Sequence, residues 1–375
     1  MSLLQVGMIA LFLCLLVLIG IYLYHYLRRS LAFWGVKTDK KSVKGILIVL
    51  AVGLTSLVLY IWGVGAILIL YLMLSAICME LLNLLIRKVW RKETKWDKVY
   101  RCGLVPLLAA AVILGYGYFN MRNIRDTAYT VYTDKDVAPY RVAFISDLHY
   151  GTTLDGEELR EQCRRIGERE PDVVVLGGDI VDEDTSLEQM QEAFAILGTT
   201  ESKYGVFYIF GNHDKSRYRS DPNYTLEQLT KAIESNGIHI LADETYEIND
   251  DLVLVGRDDA AYSLTGDDRL SGAELISAVD PDRFLLLLDH QPLALQENAE
   301  LGFDLQLSGH THGGQIWPLG LLNGIFRFNE QNYGYEKYGN LQVIVSSGMA
   351  GWGYPVRTEG VSEYVIIDIK EEGEA

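Results

Sequence analysis

The sequence predicts an α/β sandwich of two mixed sheets flanked by helices, preceded by an α-helical region of four membrane spans. Three observations support this. The first 125 residues are dominated by apolar runs of membrane-spanning length. Beyond them, short β-branched and apolar runs alternate with helical stretches, and the second half is rich in such runs. Several runs end in glycine-bounded turns carrying Asp, Asn or His, as a sheet edge that delivers ligands would. The expected domains are residues 1–125 and 126–375.

The membrane part comes first. Residues Leu4 to Leu27 are nearly all apolar, enough for one span (about 4–27). No basic segment precedes that run and no clear small-residue cleavage site follows it, which disfavours a signal peptide. Gly45 to Ile86 is apolar for about 42 residues, roughly twice the length of one span. It is expected to form two spans, about 45–62 and 66–86, with a turn near Trp62-Gly63-Val64-Gly65. A fourth span covers about 103–119.

Basic loops set the orientation. One carries Arg28, Arg29, Lys37, Lys40, Lys41 and Lys44; the other carries Arg87, Lys88, Arg91, Lys92, Lys95, Lys98 and Arg101. The positive-inside rule places both in the cytoplasm. An even number of spans must then separate them, which supports dividing 45–86. The N-terminus and the domain after span four are expected outside. Arg122 and Arg125 form a smaller, opposing signal. Glu80, within span three, is expected near the inner interface, paired with Asn83 or Arg87. Trp34, Trp90 and Trp96 fit interfacial anchors.

Composition separates the two parts. Residues 1–125 hold 15 of the 33 basic residues and only four acids; residues 126–375 hold 18 basic and 46 acidic residues, a formal charge of −28. No nucleic-acid partner is expected for so acidic a domain, although bound cations could make it receptive to phosphate. The cysteines are Cys14, Cys78, Cys102 and Cys163, and only the last lies in the acidic part. That part has no internal disulfide, and no Cys-x-x-Cys pair points to thiolate zinc.

The soluble elements follow in order. Asp126–Thr133 reads as a first strand, and Arg141–Ser146 as a buried strand ending in Asp147-Leu148-His149. A helix is expected over Asp155–Arg169. The strand Asp172–Leu176 then delivers Gly177-Gly178-Asp179-Ile180-Val181-Asp182. Two glycines there allow a sharp turn and a close approach to a ligand. Ser186 is the expected N-cap of a helix to Leu197. The strand Val206–Phe210 ends in Gly211-Asn212-His213-Asp214, and a helix covers about Thr225–Asn236. Strands follow at Ile238–Leu241, Tyr246–Ile248, Leu252–Val255, Phe284–Leu288, Asp304–Leu307, Leu341–Val345 and Tyr364–Ile369. Phe284–Leu288 ends in Asp289-His290, and Asp304–Leu307 in Ser308-Gly309-His310-Thr311-His312-Gly313-Gly314.

Of seven histidines, five stand at strand ends: His149, His213, His290, His310 and His312. A single strand-end Asp often caps a turn, and a single His is commonly structural. Five strand ends delivering His or Asp into glycine-bounded turns on one sheet edge point instead to a shared site. Imidazole, carboxylate and amide oxygen together suit Mn, Fe, Zn or Co. The supply exceeds one tetrahedral ion and suits two. A carboxylate between two ions about 3.5–4 Å apart is a geometry used for in-line attack at phosphorus. Asp179 is the candidate for that position.

Asp-x-His, Gly-Asp-x-x-Asp, Gly-Asn-His-Asp, a later His and Gly-His-Thr-His, in this order over roughly residues 140–369, resemble the calcineurin-like metallophosphoesterase family. The Gly-His-Thr-His-Gly-Gly-Gln form is similar to a bacterial membrane-anchored branch of it. The resemblance implies a four-layer αββα sandwich and two divalent ions, manganese favoured. It implies one ion on Asp147, His149, Asp179 and His312, and another on Asp179, Asn212, His290 and His310. His213 would act on the leaving oxygen, with Asp182 hydrogen-bonded to its ring. Arg357 and Asn212 are the expected substrate contacts. Asp214 and Glu183 stand where phosphoprotein phosphatases carry Glu and Arg, which argues against a Ser/Thr protein phosphatase. Tyr150, Lys215, Arg217, Trp317 and Trp352 are further candidates to line the pocket.

The expected activity is hydrolysis of a phosphodiester, pyrophosphate or phosphomonoester by metal-activated water. Proximity to the bilayer favours a lipid-linked or cell-envelope phosphate. The alternatives are an extracellular nucleotide phosphohydrolase and a catalytically silent metal-binding sensor or scaffold.

Overall fold

The computed structural model describes residues 3–60, 63–89, 95–263 and 269–373. Trp62, Trp90, Arg91 and Lys92, named above as turn, anchor and loop residues, lie outside them. The chain divides into two compact units, Met1–Tyr116 and Gly117–Ala375.

The first unit is helical: α1 (Leu3–Phe33), α2 (Lys41–Ser56), α3 (Val64–Val89), α4 (Lys95–Cys102) and most of α5 (Leu104–Arg122). Among the described residues, four segments are long and apolar enough to cross a membrane: Val6–Phe33, Lys41–Leu59, Val64–Val89 and Leu104–Arg122. α4 is a short polar helix in the second basic loop.

The structure corrects the reading of Glu80. Its Oε1 accepts from Arg29 Nη1 at 2.6 Å and from Tyr22 Oη at 3.1 Å, and Tyr100 donates to Oε2. Arg87 is taken by Asp97 at 3.1 Å, and Asn83 Oδ1 accepts from Trp96 Nε1 at 3.3 Å. The cause is packing. Glu80 adjoins the buried stripe Leu72, Ala76, Met79 and Asn83 of α3, so it meets α1 and α4 rather than its own helix surface. Glu80→Ala strands the Arg29 guanidinium. It is expected to cost roughly 1–3 kcal/mol, read as a lower unfolding temperature of the full chain in detergent, with Tyr100→Phe costing less.

Among its described residues the second unit contains twelve strands: β1 (Ile124–Thr133), β2 (Tyr140–Ile145), β3 (Val173–Leu176), β4 (Val206–Tyr208), β5 (Ile238–Ile240), β6 (Glu244–Glu247), β7 (Leu252–Gly256), β8 (Phe284–Leu288), β9 (Leu305–Ser308), β10 (Gly334–Tyr338), β11 (Leu341–Val345) and β12 (Ser362–Glu371). Its helices are α6 (Gly156–Gly167), α7 (Leu187–Leu197), α8 (Leu226–Glu234), α9 (Ala260–Ser263), α10 (Gly272–Ile276), α11 (Leu295–Glu300) and α12 (Leu319–Phe326). Two six-stranded sheets form, in the orders β1-β12-β2-β3-β4-β5 and β10-β11-β9-β8-β7-β6. Both are mixed. β2, β3, β4 and β5 run parallel in one, and β7, β8, β9 and β11 run parallel in the other.

The period of two along each strand makes the layers. Val142, Phe144, Val173 and Val175 face Leu252, Leu254, Leu286 and Ile344 in a core between the sheets. The alternate residues Ala143, Ile145, Val174 and Leu176 pack under Leu159, Phe194 and Ile233 of α6, α7 and α8. Leu285, Leu287 and Val343 pack outward on Leu295 and Phe303. Helix, sheet, sheet and helix are thus stacked as expected. Strands buried on both faces are wholly apolar, which is why Val173–Leu176 and Phe284–Leu288 stand out in the sequence.

Local signals hold the helices in place. Asp155, Ser186 and Thr225 each form a capping box with Glu158, Gln189 and Gln228. The boundary expected after residue 125 falls inside the second unit, because the end of α5 packs there. Asn120 Nδ2 donates to Arg357 O at 3.1 Å and to Gly360 O at 3.0 Å.

Candidate metal centre

Parallel neighbours bring their carboxyl ends to one edge. β2 leads to Asp147 and His149, β3 to Asp179, β4 to Asn212 and His213, β8 to His290, and β9 to His310 and His312. The ends are stitched together: Asp147 N donates to Gly178 O at 3.0 Å, His149 N to Asp179 O at 3.0 Å, and Gly309 N to His290 O at 2.9 Å. The sheets approach so closely that a Cβ on Gly178 would lie 2.7 Å from His290 Nδ1. One on Gly309 would lie 2.2 Å from Asp147 Oδ2. Glycine is required at both.

The backbone is strained where the ligands stand. Asp147, His149, Asp179, His310 and His312 all have positive φ, between 40° and 69°. Non-glycine residues rarely adopt this region, at a cost of roughly 1–3 kcal/mol each, and such strain gathers at functional sites.

Among the described residues two groups of ligand atoms result, each within 4.8 Å: Asp147, His149 and His312, and Asp179, His290 and His310. Asp179 Oδ2 lies 3.2 Å from His290 Nε2 and 3.8 Å from His149 Nε2, so it faces both groups. Asn212 Oδ1 meets His310 Nδ1 at 2.8 Å and so joins the second. All seven sequence-predicted ligands therefore converge.

The tautomers favour ligation. His290 Nδ1 bonds Gly177 O at 2.8 Å, and His149 Nδ1 bonds Asp182 Oδ2 at 3.1 Å. Each anchored Nδ1–H leaves an Nε2 lone pair aimed into the site. Both Nε2 atoms are buried and without a hydrogen-bond partner, as is His312 Nδ1. Burial works against ionising Asp179, but His290, His213 and His149 hold its carboxyl well below the usual carboxylate range. Burial, reinforced by His149 and Arg357, pushes His312 well below its usual value; burial and His290 lower His310. Burial opposes a charge on His290, but Asp179 raises its pKa well above the usual value, so that ring would give up its proton on binding a cation. Imidazoles beside an ionised carboxylate form a donor set that fits divalent cations.

Asp182 is not the partner of the His213 ring. It is held at the turn, where its Oδ1 accepts from Asp184 N at 2.9 Å and Thr185 N at 3.2 Å, and its Oδ2 goes to His149. Glu183 takes the expected role: its Oε2 meets His213 Nδ1 at 2.8 Å. Burial opposes a charge on His213, but the Glu183 hydrogen bond and Asp179 raise its pKa to about 9. The signal for Glu183 was the acidic run Asp182-Glu183-Asp184, in which adjacent residues on a turn project differently.

Arg357 does not line the pocket either. Its side chain is fully buried, with Nη1 on His312 O at 2.7 Å and Nη2 on Ala350 O at 2.5 Å. It positions the His312 turn instead of reaching a phosphate. Arg357→Ala leaves both carbonyls unpaired and a void under the turn. We expect a loss of roughly 2–4 kcal/mol, measured by chemical unfolding of the metal-free chain.

Other candidates are similarly occupied. Tyr150 Oη donates to Glu192 at 2.9 Å, Lys215 Nζ pairs with Asp258 at 2.7 Å, and Arg217 bonds Ala261 O. Trp352 does border the site, its ring centroid 5.0 Å from that of His213. Asp214 has a structural duty: its carboxylate accepts from the backbone N–H groups of Gly211, Asp179, Ile180 and Val181 at 2.6–3.1 Å. It ties the Asn212 turn to the Asp179 turn.

The calcineurin-like phosphoesterase family model matches residues 140–314. An uncharacterized metallophosphoesterase from Aquifex aeolicus is 32% identical over 275 residues, covering 70% of this chain and 98% of its own. A bovine transmembrane protein with a metallophosphoesterase domain is 30% identical over 73% of this chain, which spans 64% of that relative. The uncharacterized metallophosphoesterase YkuE of Bacillus subtilis is 31% identical over 57% of this chain and 76% of its own length.

Proposed function

This chain belongs to the calcineurin-like metallophosphoesterase family, and from that premise we propose a membrane-anchored dinuclear enzyme that hydrolyses a phosphodiester, pyrophosphate or phosphomonoester. One observation carries the dinuclear reading: Asp179 faces two separate groups of buried, partly unpartnered imidazoles. Asp147, His149, Asp179 and His312 would hold one ion; Asp179, Asn212, His290 and His310 the other. Bound divalent cations supply positive charge beside phosphorus and acidify water enough for attack near neutral pH.

The chain's own residues do the rest. Gly177 and Asp182 fix the rings of His290 and His149 in the ligating tautomer. Glu183 orients His213 and keeps it protonated, leaving Nε2 as the proton donor to the departing oxygen. As the phosphorus–oxygen bond breaks, that proton goes to the leaving group, and water supplies the new oxygen. The Trp352 ring lies against that of His213 at the border of the site.

The catalytic domain faces outward, as the two basic loops imply. An alkaline phosphatase reporter fused at the C-terminal end is therefore expected to be active. A fusion fluorescent only as a cytoplasmic reporter contradicts that orientation. The activity itself is tested with the full chain in detergent, loaded with Mn, against bis-p-nitrophenyl phosphate and p-nitrophenyl phosphate. Turnover of at least one is expected; a metal-loaded chain inert to both favours a silent scaffold.

A further inference from the structure

We propose that α12 and its flanking residues form a bilayer-docking surface that holds the phosphoesterase site against lipid. The docking stands on its own observations. Its consequence, that the site takes phosphoesters carried by lipid, rests on the activity proposed above.

The segment 317–328 carries a single charge, Arg327. In an acidic domain such a run would normally be buried. Here Leu319, Leu321, Ile325, Phe326 and Phe328 are 53–73% exposed, and Trp317 is 45% exposed. The polarity of the helix is inverted. Its one polar side chain, Asn323, is the buried one, with Oδ1 accepting from Asn329 N at 2.9 Å. Neither sheet needs these side chains, since both cores are filled by strand and helix residues. An exposed apolar patch rich in Leu, Ile and Phe, flanked by Trp and Arg, has the composition of an interfacial membrane element.

The surroundings identify the occupant. Residues 117–122, the end of the apolar helix α5, pack within this unit on the segment Arg357–Gly360. Arg357 N donates to Gly117 O at 2.9 Å, and Asn120 holds Arg357 O and Gly360 O. The same segment holds the start of α12: Trp317 N donates to Thr358 Oγ1 at 3.0 Å and Gly320 N to Glu359 Oε2 at 2.8 Å. Phe119, on the same end of α5, is 73% exposed. A helix long enough to cross a membrane thus ends against the segment from which α12 starts. The end of this apolar helix, within the same unit as α12, is what favours a bilayer as the occupant of the patch. The domain's formal charge of −28 gives no attraction to anionic headgroups, so insertion rests on apolar contact and is insensitive to salt on a zwitterionic lipid.

The patch also connects to chemistry. α12 follows His312 directly, Gln315 N bonds His312 O at 3.1 Å, and Gln315 Nε2 reaches Trp352 O at 3.2 Å beside His213. A lipid-borne phosphoester would therefore meet the site at the surface where α12 docks.

The test uses the full chain, Mn-loaded, one copy per phosphatidylcholine nanodisc. Cys14, Cys78 and Cys102 are replaced by serine, and bimane is attached at Phe328→Cys or at the exposed control Lys337→Cys. Doxyl-labelled lipid is expected to quench the first at least about twofold more than the second, unchanged by added salt. Equal quenching overturns the docking. So does disulfide cross-linking of Phe328→Cys between chains in vesicles without quenching, which would assign the patch to a second copy. A second arm compares wild type with Leu321→Glu/Ile325→Glu/Phe328→Glu. Hydrolysis of bis-p-nitrophenyl phosphate in detergent should stay within about twofold, while hydrolysis of phosphatidyl-p-nitrophenol in vesicles falls at least about tenfold. Equal loss on both substrates contradicts the lipid-presentation role. A wild type inert to both substrates overturns the phosphoesterase reading and this consequence of it, while the quenching still decides the docking.

Discussion

Asp179→Asn is expected to lower phosphoester hydrolysis by roughly three to five orders of magnitude. Asparagine keeps the shape of the side chain and tolerates the positive φ of 52° found here, so the turn survives. The turn is also held independently, by the Asp214 carboxylate on the N–H groups of residues 179, 180 and 181. What the variant loses is the charge facing both groups. Without it, His290 and His149 lose the carboxylate that lies 3.2 Å and 3.8 Å from their Nε2 atoms; the His290 group keeps no carboxylate, and the His149 group keeps only that of Asp147. Steady-state kinetics at saturating Mn measure the loss. Near-wild-type turnover would remove Asp179 from the centre of the account.

His213→Asn is expected to lower kcat by roughly 10²–10⁴-fold on a diester with an alkoxide leaving group. With p-nitrophenolate, which departs without a proton, the loss should be much smaller. Glu183→Gln separates proton donation from mere packing. The proton donor must be charged, so activity holds below the His213 pKa and falls as pH rises through it. Glu183 is a principal cause of the rise of that pKa to about 9, so removing its charge moves the alkaline limb to lower pH. Bound cations lower the His213 pKa in both proteins, so the readout is the difference between them. Asp182→Asn is expected to leave that limb in place and to weaken metal retention through His149 instead. A limb that moves with Asp182→Asn and not with Glu183→Gln would reverse the assignment.

Much of the fold was legible because its strands are buried on both faces and so read as unbroken apolar runs. The ligands were legible because parallel strands bring every carboxyl end to one edge, so Asp147, Asp179 and His290 converge from distant positions in the chain. β10 escaped notice because Gly334–Tyr338 is a polar edge strand, as exposed edges usually are. α12 escaped because eight residues with two glycines and an inverted polarity carry no helical stripe. Arg357 misled because an arginine in a glycine-rich segment ordinarily reaches solvent, whereas this one is used up on two backbone carbonyls. Spacing alone does not distinguish Asp182 from Glu183. The distinction lies in the turn, where Thr185 and Asp184 hold Asp182 toward His149. Glu80 likewise found its partner on another helix, beyond the reach of local spacing.

Asp179 would serve two cations, and that sharing is open to measurement. Its most direct measurement is the metal content of the full-length protein, purified in detergent, loaded with Mn, desalted and quantified by plasma mass spectrometry against protein concentration. About two ions per chain are expected for the wild type, and one or none for Asp179→Asn. A single ion per wild-type chain, or an unchanged stoichiometry in the variant, would contradict the account.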